Sequence, residues 1–406
     1  MAERKAVWLL DPRFDFLIPG FLKHFQIEEK SLTLVGSYHG PTRAGRNTVT
    51  VGDSQLGHVV FLEPEDLNRR YAPQLEQDVP DVVAAFTGAY LPEAPGFETV
   101  LATGKIAVDA NNKAWQDRFF RRYDIPTPES QRAEGKEALL DCAVDMLKRH
   151  EKLVIKLPEL SGGYQMRIVE SVTKAEEYYD ALPEALPRKF LVSAYVPHSQ
   201  SFAGMGIVTR SGRVHWCGAT EQVLYQNLAY EGLIYPPFAD SETAKELERL
   251  TEIAGRGLAS AGYYGFFNVD YIYSPFDAKN KVQAVEINAR FGFGTLLFAC
   301  ACGEDFWPVV QGQKELPKFE QPEQRLILGK YKGRMGRIYQ GLKPESDILQ
   351  WHKSESKRFS TFFCGTEAAE TYDYGSFIGL FGAFLPPTAS RDEILEEFWE
   401  RCLAYY

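Results

Sequence analysis

The sequence has no long apolar run. Its glycine-containing stretch Ile378 to Leu385 is far shorter than the roughly 20 residues that cross a bilayer, so no transmembrane helix is expected. There is no low-complexity tract and no internal repeat, which sets aside disordered linkers and solenoids. Positive charge is not in excess: 45 Lys and Arg stand against 55 Asp and Glu, for a net charge of −10, and the basic residues are dispersed. That gives no support to a surface built for duplex nucleic acid, and no nucleic-acid partner is expected. The six cysteines are scattered, and the closest pair, Cys300 and Cys302, has one residue between, which is not a zinc spacing. Reduced core thiols are the expectation. The start, MAERKAVWLLDPRFDF, places Asp11 and Arg13 straight after a short apolar run, unlike a secretory signal, so a cytoplasmic protein is expected. Common catalytic signatures are missing too. No G-x-G-x-x-G opens a helix, no Walker A loop occurs, and no nucleophilic triad or Cys–His arrangement can be recognised.

What remains is a folded chain of 406 residues, 45% hydrophobic and 25% charged, too long for one ordinary core and expected to form two or three packed units. The first hundred residues alternate strand and helix (KAVWLL, FLIPGFLKHF, SLTLVGSY, GHVVFLE, PDVVAAF), the pattern of an open α/β unit. The stretch DANNKAWQDRFFRR reads as a helix that starts between Asp109 and Asn112 and stops before Ile125, because Pro126 and Pro128 forbid continuation. LVIKLP then precedes the loop ELSGGYQ, the strand MRIVES, the helix TKAEEYYDAL and the strand FLVSAYV. VTRSGRVHWCGATEQ has the two arms and Ser-Gly centre of a hairpin. A long amphipathic helix follows, then the strands GFFNVDYIY and KVQAVEIN. After Leu316 the chain is β-rich, and it closes with a helix started by Ser390 and Glu393 in capping-box spacing.

Chemistry gathers in a few of these segments. Asp270 and Glu286 are equidistant from residue 278, so a hairpin there sets the two carboxylates face to face. Opposed like charges destabilise a strand pair, and a divalent cation between them turns that liability into a site. Asn288 shares the face of Glu286, and a small all-oxygen set suits Mg²⁺. The plain alternative is a solvated edge hairpin. Gly265, Gly292 and Gly294 weigh against it because they permit close backbone approach. On this reading, neutralising Glu286 removes a repulsion and leaves stability nearly unchanged. Lys156 ends an apolar run just before Ser161, Gly162 and Gly163, where an ammonium and several N–H groups can surround phosphate. Lys113 opens the earlier helix. Arg290, again on the Glu286 face, would repel a cation unless an anion lay between, which points to an incoming carboxylate. A salt bridge to Glu304 is its plain alternative.

The order of these features resembles the ATP-grasp superfamily over roughly residues 105 to 310, most tellingly in EINAR. The resemblance implies an α/β protein with the ATP-grasp fold. An N-terminal pre-grasp, Rossmann-like domain would span 1–112, a small lobe 113–196, a large lobe 197–316 and a C-terminal β-rich subdomain 317–406. It implies ATP and Mg²⁺ as cofactors. Lys113 and Lys156 match the phosphate-binding lysines, with Ser161, Gly162 and Gly163 in the lid loop Ser161 to Gln165. Asp270, Glu286 and Asn288 match the metal ligands. Ser193 and Val196 match the hinge that reads adenine through its main chain, although Ser193 and Ala194 replace an often acidic pair. Gln200 falls where a ribose-binding glutamate frequently sits. The activity implied is a carboxylate–amine ligase, which activates a small acid such as an amino acid as its acyl phosphate and joins it to an amine. Lys156 and Arg290 would carry the transfer, and Glu221, Gln222, Tyr225 and Arg290 would line the substrate pocket, unless 217 to 238 is only an aromatic flap. The partners implied are small-molecule acid and amine, with no nucleic acid and no membrane, and a homodimer is compatible. The alternatives are transfer to a thiol or carrier protein, a small-molecule kinase and a non-catalytic nucleotide-binding protein.

Overall fold

The computed structural model describes residues 4–10, 14, 17–36, 48–50, 64–93, 96–159, 166–225, 229–277, 279–315, 325–334, 360–367, 376–385 and 388–396. The run GHVVFLE and the loop Ser161 to Gln165 lie outside them. Among the described residues no single helix is long and apolar enough to cross a membrane.

The N-terminal unit is a parallel five-stranded sheet in the order β3-β2-β1-β4-β5, from β1 (Ala6–Leu9), β2 (Leu32–Gly36), β3 (Thr48–Thr50), β4 (Val82–Ala85) and β5 (Glu98–Thr99). β1 and β4 are buried at every residue, as apolar strands of a sheet covered on both faces must be. Helix α1 (Ile18–Phe25) presses Phe21 onto Trp8, and Trp307 of α9 (Phe306–Val310) meets both rings edge-on, at 5.8 Å from Trp8 and 5.3 Å from Phe21. The Trp307 Nε1–H donates to the Leu17 carbonyl at 3.1 Å. The first unit is thereby fastened to an element that follows the candidate site in sequence.

A second sheet, β6-β9-β7-β8, is antiparallel and consists of β6 (Ser130–Glu134), β7 (Leu153–Lys156), β8 (Arg167–Val169) and β9 (Lys189–Ala194). It carries α5 (Gly135–Leu147) and α6 (Val172–Ala181), with Leu139, Met146, Ile155, Val169, Ala175 and Phe190 in one apolar core. The third sheet has eight antiparallel strands in the order β14-β13-β10-β11-β12-β15-β17-β16. Its members are β10 (Gln200–Val208), β11 (Val214–Tyr225), β12 (Ala229–Tyr235), β13 (Gly265–Tyr273), β14 (Val282–Asn288), β15 (Arg325–Arg334), β16 (Ser360–Glu367) and β17 (Ser376–Leu385). The expected hairpin forms between β10 and β11, with Val208 opposite Val214 and Gly212 at φ +81°, a backbone angle that favours a residue without Cβ. Helix α7 (Ser241–Ser260), capped by the Asp240 side chain on the Thr243 N–H at 2.7 Å, buries Leu247, Leu250, Ala254 and Leu258 in the same core as Val208 and Phe267.

The β-rich C-terminal region expected from 317 onward does not stand apart. β15 pairs with β12, Gly232 opposite Gly329, so it extends the sheet that carries the carboxylates. The closing helical segment, 391–396, is capped reciprocally as expected. The Ser390 N–H donates to Glu393 Oε2 at 3.0 Å, and the Glu393 N–H donates to Ser390 Oγ at 3.3 Å. Cys142, Cys217 and Cys302 are buried free thiols, in accord with a reduced core.

Candidate active site

The site begins with the helix break at Asn111 and Asn112. Helix α3 (Lys105–Ala110) ends there and α4 (Lys113–Arg122) restarts, capped by Asn112 Oδ1, which accepts from the Ala114 and Trp115 N–H groups at 3.0 and 3.1 Å. Both asparagines are short polar residues that bond to nearby backbone, which is why the chain turns here. The buried positions of α4 are Lys113, Gln116, Phe119 and Phe120, so a lysine and a glutamine occupy core spacing on an amphipathic helix. Both face β14.

Gln116 and Asn111 pin that strand from the side. Gln116 Oε1 accepts from the Ile287 N–H at 3.1 Å, and its Nε2 donates to the Ile287 and Ala110 carbonyls at 2.6 and 2.9 Å. Asn111 Oδ1 accepts from the Ala289 N–H at 3.1 Å and from Arg290 Nη1 at 2.9 Å. Sequence reading missed Gln116 as a site residue; a polar side chain at the i+3 core position after Lys113 was the available signal. Gln116→Ala leaves three buried backbone groups without partners, and about 2–4 kcal/mol of stability should be lost in chemical denaturation. A change within a few tenths of a kcal/mol would show that the strand holds its place unaided.

β13 and β14 place Asp270 directly opposite Glu286 and Asn268 opposite Asn288, as the hairpin reading expects. Asp270 lies between two amides: Asn268 Nδ2 donates to Oδ1 at 2.8 Å and Asn288 Nδ2 to Oδ2 at 2.9 Å. Glu286 meets Lys113, whose Nζ is 2.8 Å from Oε1, with the lysine side chain 3% exposed and the glutamate 16%. Burial acts to raise the Glu286 carboxyl, but Lys113, Arg290 and Lys156 outweigh it and hold the group below the usual range. Asp270 goes the other way. Burial, then the facing Glu286, push its carboxyl up to about 7, against the pull of Asn288, Arg290 and Lys113. Lys156, at the end of β7, is lowered to about 8 by burial, with Glu286 acting against the shift and Lys113 adding to it.

This division of labour changes one expectation. Neutralising Glu286 does not merely remove a repulsion, because it also takes away the carboxylate that pairs with the buried Lys113; the acid whose charge the fold opposes is Asp270. A raised native carboxyl contributes stability that is whole below its unfolded value of 3.8 and lost as pH rises through about 7. Asp270→Asn does not titrate, so in protein free of metal and nucleotide its melting temperature minus that of the unchanged chain should grow from pH 4 to pH 8. A difference that stays flat over that range would contradict the assignment.

The remaining residues are placed as follows. Arg290 lies two residues beyond the end of β14, held by Asn111, while Glu304 pairs with Lys23 at 3.0 Å. Gly265 takes φ +118°, and a Cβ there would meet Leu101 Cδ2 at 2.4 Å; one on Gly294 would meet Met205 Sδ at 2.6 Å, whereas Gly292 faces open space. Ser193 lies inside the second sheet, between Ser130 and Val154, and the chain leaves that sheet after Ala194. The Val196 carbonyl accepts from His198 Nδ1 at 2.9 Å, and His198 Nε2 is buried with no partner among the described residues. Gln200 opens β10 and bonds to Glu221. Glu221 is not an open pocket wall: it is fully buried, and Arg391 of the closing segment pairs with it. Gln222 is half-buried on β11 opposite Leu233, and Tyr225 ends β11 opposite Ala229. Ser161, Gly162 and Gly163 lie outside the described residues. The structure therefore brings together Lys113, Lys156, Asp270, Glu286, Asn288 and Arg290.

Among the described residues no cluster of three or more His, Cys, Asp or Glu side chains could hold a metal. The donor set still fits a hard divalent cation, since it is two facing carboxylates and an amide, with one carboxylate opposed by the other. Asn288 would offer such a cation its Oδ1, the end not given to Asp270.

No family model and no curated protein sequence matches this chain. Solved structures do. Carboxyaminoimidazole ribonucleotide synthase from Aspergillus clavatus, complexed with ATP, superposes with a TM-score of 0.68 at 15% identity, covering 99% of this chain and 98% of that one. Biotin carboxylase from Campylobacter jejuni gives 0.67 at 13% identity, with 99% and 91% covered. N5-carboxyaminoimidazole synthetase from Staphylococcus aureus complexed with ADP gives 0.65 at 11%, with 99% and 97% covered. These are ATP-grasp enzymes, matched from one end of the chain to the other. The two antiparallel sheets and the flanking α/β unit agree with that likeness: this chain has the ATP-grasp fold.

Proposed function

We propose that the protein is an ATP-dependent ligase that activates a small carboxylic acid as its acyl phosphate and transfers the acyl group to an amine nitrogen, with release of ADP and phosphate. The observation that carries this reading is the grouping of Lys113 and Lys156 with the opposed Asp270 and Glu286 and with Arg290 at the strand end. A free carboxylate is a poor electrophile, because its leaving group would be oxide; an acyl phosphate has a good one. Phosphoryl transfer needs positioning and charge neutralisation more than a nucleophilic side chain, and this set supplies both. Mg²⁺ held by Asp270, Glu286 and Asn288 would supply charge neutralisation at the phosphates. Lys113 and Lys156 face the same phosphates, and a bound polyanion would favour the charged form of the buried Lys156. Ser161 to Gln165 would close over them, and Ser193 to Val196 would take the base. Arg290 offers a fork of donors to the acid.

The acid is proposed to be an amino acid or a related small acid, with Gln222 and Tyr225 on the substrate side. Bicarbonate is the second reading, supported by the resemblance to carboxylases, one of which holds MgADP and bicarbonate. Incubation with ATP, Mg²⁺, hydroxylamine and a panel of acids tests the proposal and separates the two. An amino-acid substrate gives a hydroxamate and ADP in step; ATP cleavage that needs bicarbonate and yields no hydroxamate supports the second reading. AMP, or a phosphoester with ADP, would instead indicate an adenylate route or a kinase, and no turnover with any acid would count against a ligase.

A further inference from the structure

A cavity of about 310 Å³ opens where three parts of the chain meet, and none of its lining residues belongs to the candidate active site. β5 and its approach supply one wall, the connection into α3 a second, and the β10–β11 turn with the segment after α7 the third. The volume is at the small end for ligand sites, which run from roughly 300 to 1,000 Å³. Phe97, Ala102 and the half-buried Ile106 give it an apolar lining, and the Ala102 N–H donates to the Tyr264 carbonyl at 2.8 Å. Thr99 Oγ1 donates to the Leu101 carbonyl at 2.6 Å, so the Tyr264 hydroxyl must supply the proton of the 2.8 Å bond between the two hydroxyls. Tyr264 is thereby held at its backbone and at its ring tip. Arg210 lies over the face of that ring, its Cζ 4.4 Å from the centroid, and its Nη2 donates to the Thr99 carbonyl. The remaining guanidinium donors meet no described residue, Arg210 has no carboxylate partner among the described residues, and no Asp or Glu lines the cavity. α3 runs from this cavity to the catalytic group, with Ile106 in its first turn on the cavity and Asn111, after its last, holding Arg290.

We propose that this cavity is a second binding site, for a small organic monoanion: a carboxylate on a short apolar or ring body. The Arg210 guanidinium, already oriented by Tyr264 and Thr99, takes the anionic end through its uncommitted donors, and Phe97, Ala102 and Ile106 cover the body. Preorganisation of the arginine means that little side-chain freedom is lost on binding. An inorganic anion would leave the apolar lining unused, a neutral molecule would leave the guanidinium unused, and a dianion would meet one positive charge only. The proposal does not depend on the ligase reading.

Benzoate is the probe, with benzamide to remove the charge and inorganic phosphate to remove the ring. Calorimetric titration without nucleotide should show benzoate binding about tenfold more tightly than benzamide, the worth of a charge-assisted hydrogen bond, and more tightly than phosphate. Arg210→Gln should bring benzoate down to the level of benzamide, whereas Arg290→Gln should leave benzoate binding as it was. Arg210 also ties Tyr264 to β5, so a second measurement is made on the unchanged chain. With labelled isoleucine methyl groups, the Ile106 δ1 resonance, assigned through Ile106→Val, should shift with benzoate at the calorimetric midpoint. Equal binding of benzoate and benzamide, phosphate binding as tight as benzoate, or an Ile106 signal that stays in place at saturating benzoate would each overturn the proposal. Benzoate binding lost in Arg290→Gln but kept in Arg210→Gln would place the acid in the catalytic group instead. Absence of benzoate binding at millimolar concentration would overturn the site as well.

Discussion

Glu286→Gln will lower ATP turnover at saturating ATP and Mg²⁺ by on the order of 10³-fold, the scale seen when one preorganised electrostatic partner of a transition state is lost. Two losses combine. On the proposed assignment the cation would give up an anionic ligand, and Lys113 gives up the carboxylate 2.8 Å away. The second loss also reaches the fold. A lysine side chain with 3% exposure that loses its carboxylate partner is a less compensated buried charge, so stability should fall by about 2 kcal/mol, softened by relief of the repulsion on Asp270. Steady-state turnover and chemical denaturation read the two effects separately. Turnover comparable to that of the unchanged chain would remove Glu286 from the site, whatever the stability shows.

Arg290→Lys will raise the apparent KM for the acid and lower kcat, together by about 10²-fold in kcat/KM, while the affinity for MgADP changes little. The charge survives this substitution and the planar fork does not. Arg290 Nη1 is committed to Asn111 Oδ1 at 2.9 Å, and Asn111 also holds the Ala289 N–H, so the guanidinium is anchored to the same residue that fixes the strand end. A lysine ammonium keeps two donors once one is so engaged, but they diverge and cannot form a parallel pair on a carboxylate. If MgADP affinity collapses, or acid-dependent turnover is untouched, Arg290 does not hold the carboxylate.

The facing carboxylate pair was legible from sequence because Asp270 and Glu286 are equidistant from the connection, although the pairs nearer the turn, such as Tyr271 with Ala284, are offset and a register shift next to Asp270 restores its alignment with Glu286. Local rules also served at Asn112, where a short amide caps a helix, and at Ser390 and Glu393, where two residues satisfy each other. What sequence could not show were contacts between residues far apart in the chain. Gln116 reaches Ile287 over 171 positions, and Asn111 reaches Ala289 over 178. Both are polar residues whose purpose appears only when a strand arrives beside their helix. Glu221 carried the same ambiguity, since its position in an aromatic, polar stretch fitted a substrate wall until Arg391 was seen to close over it. The pairing of Glu286 with Lys113 was hidden for that reason: two acids on one hairpin repel, whereas the third party, Lys113, belongs to a helix far earlier in the chain. The joining of β12 to β15 was equally hidden, because strand pairing across a long connection leaves no periodic mark in either segment.

If this site moves the γ-phosphoryl of ATP onto a carboxylate, as proposed, an oxygen of the acid leaves with the phosphorus, and isotopic label follows it directly. With the acid that supports turnover labelled with ¹⁸O in its carboxyl group, attack of the carboxylate on phosphorus and later displacement by the amine must leave one carboxyl oxygen in the released phosphate. Mass analysis should therefore find one ¹⁸O per phosphate formed, with none in ADP. Phosphate free of label, or label recovered in AMP, would contradict an acyl phosphate and with it the account of the site.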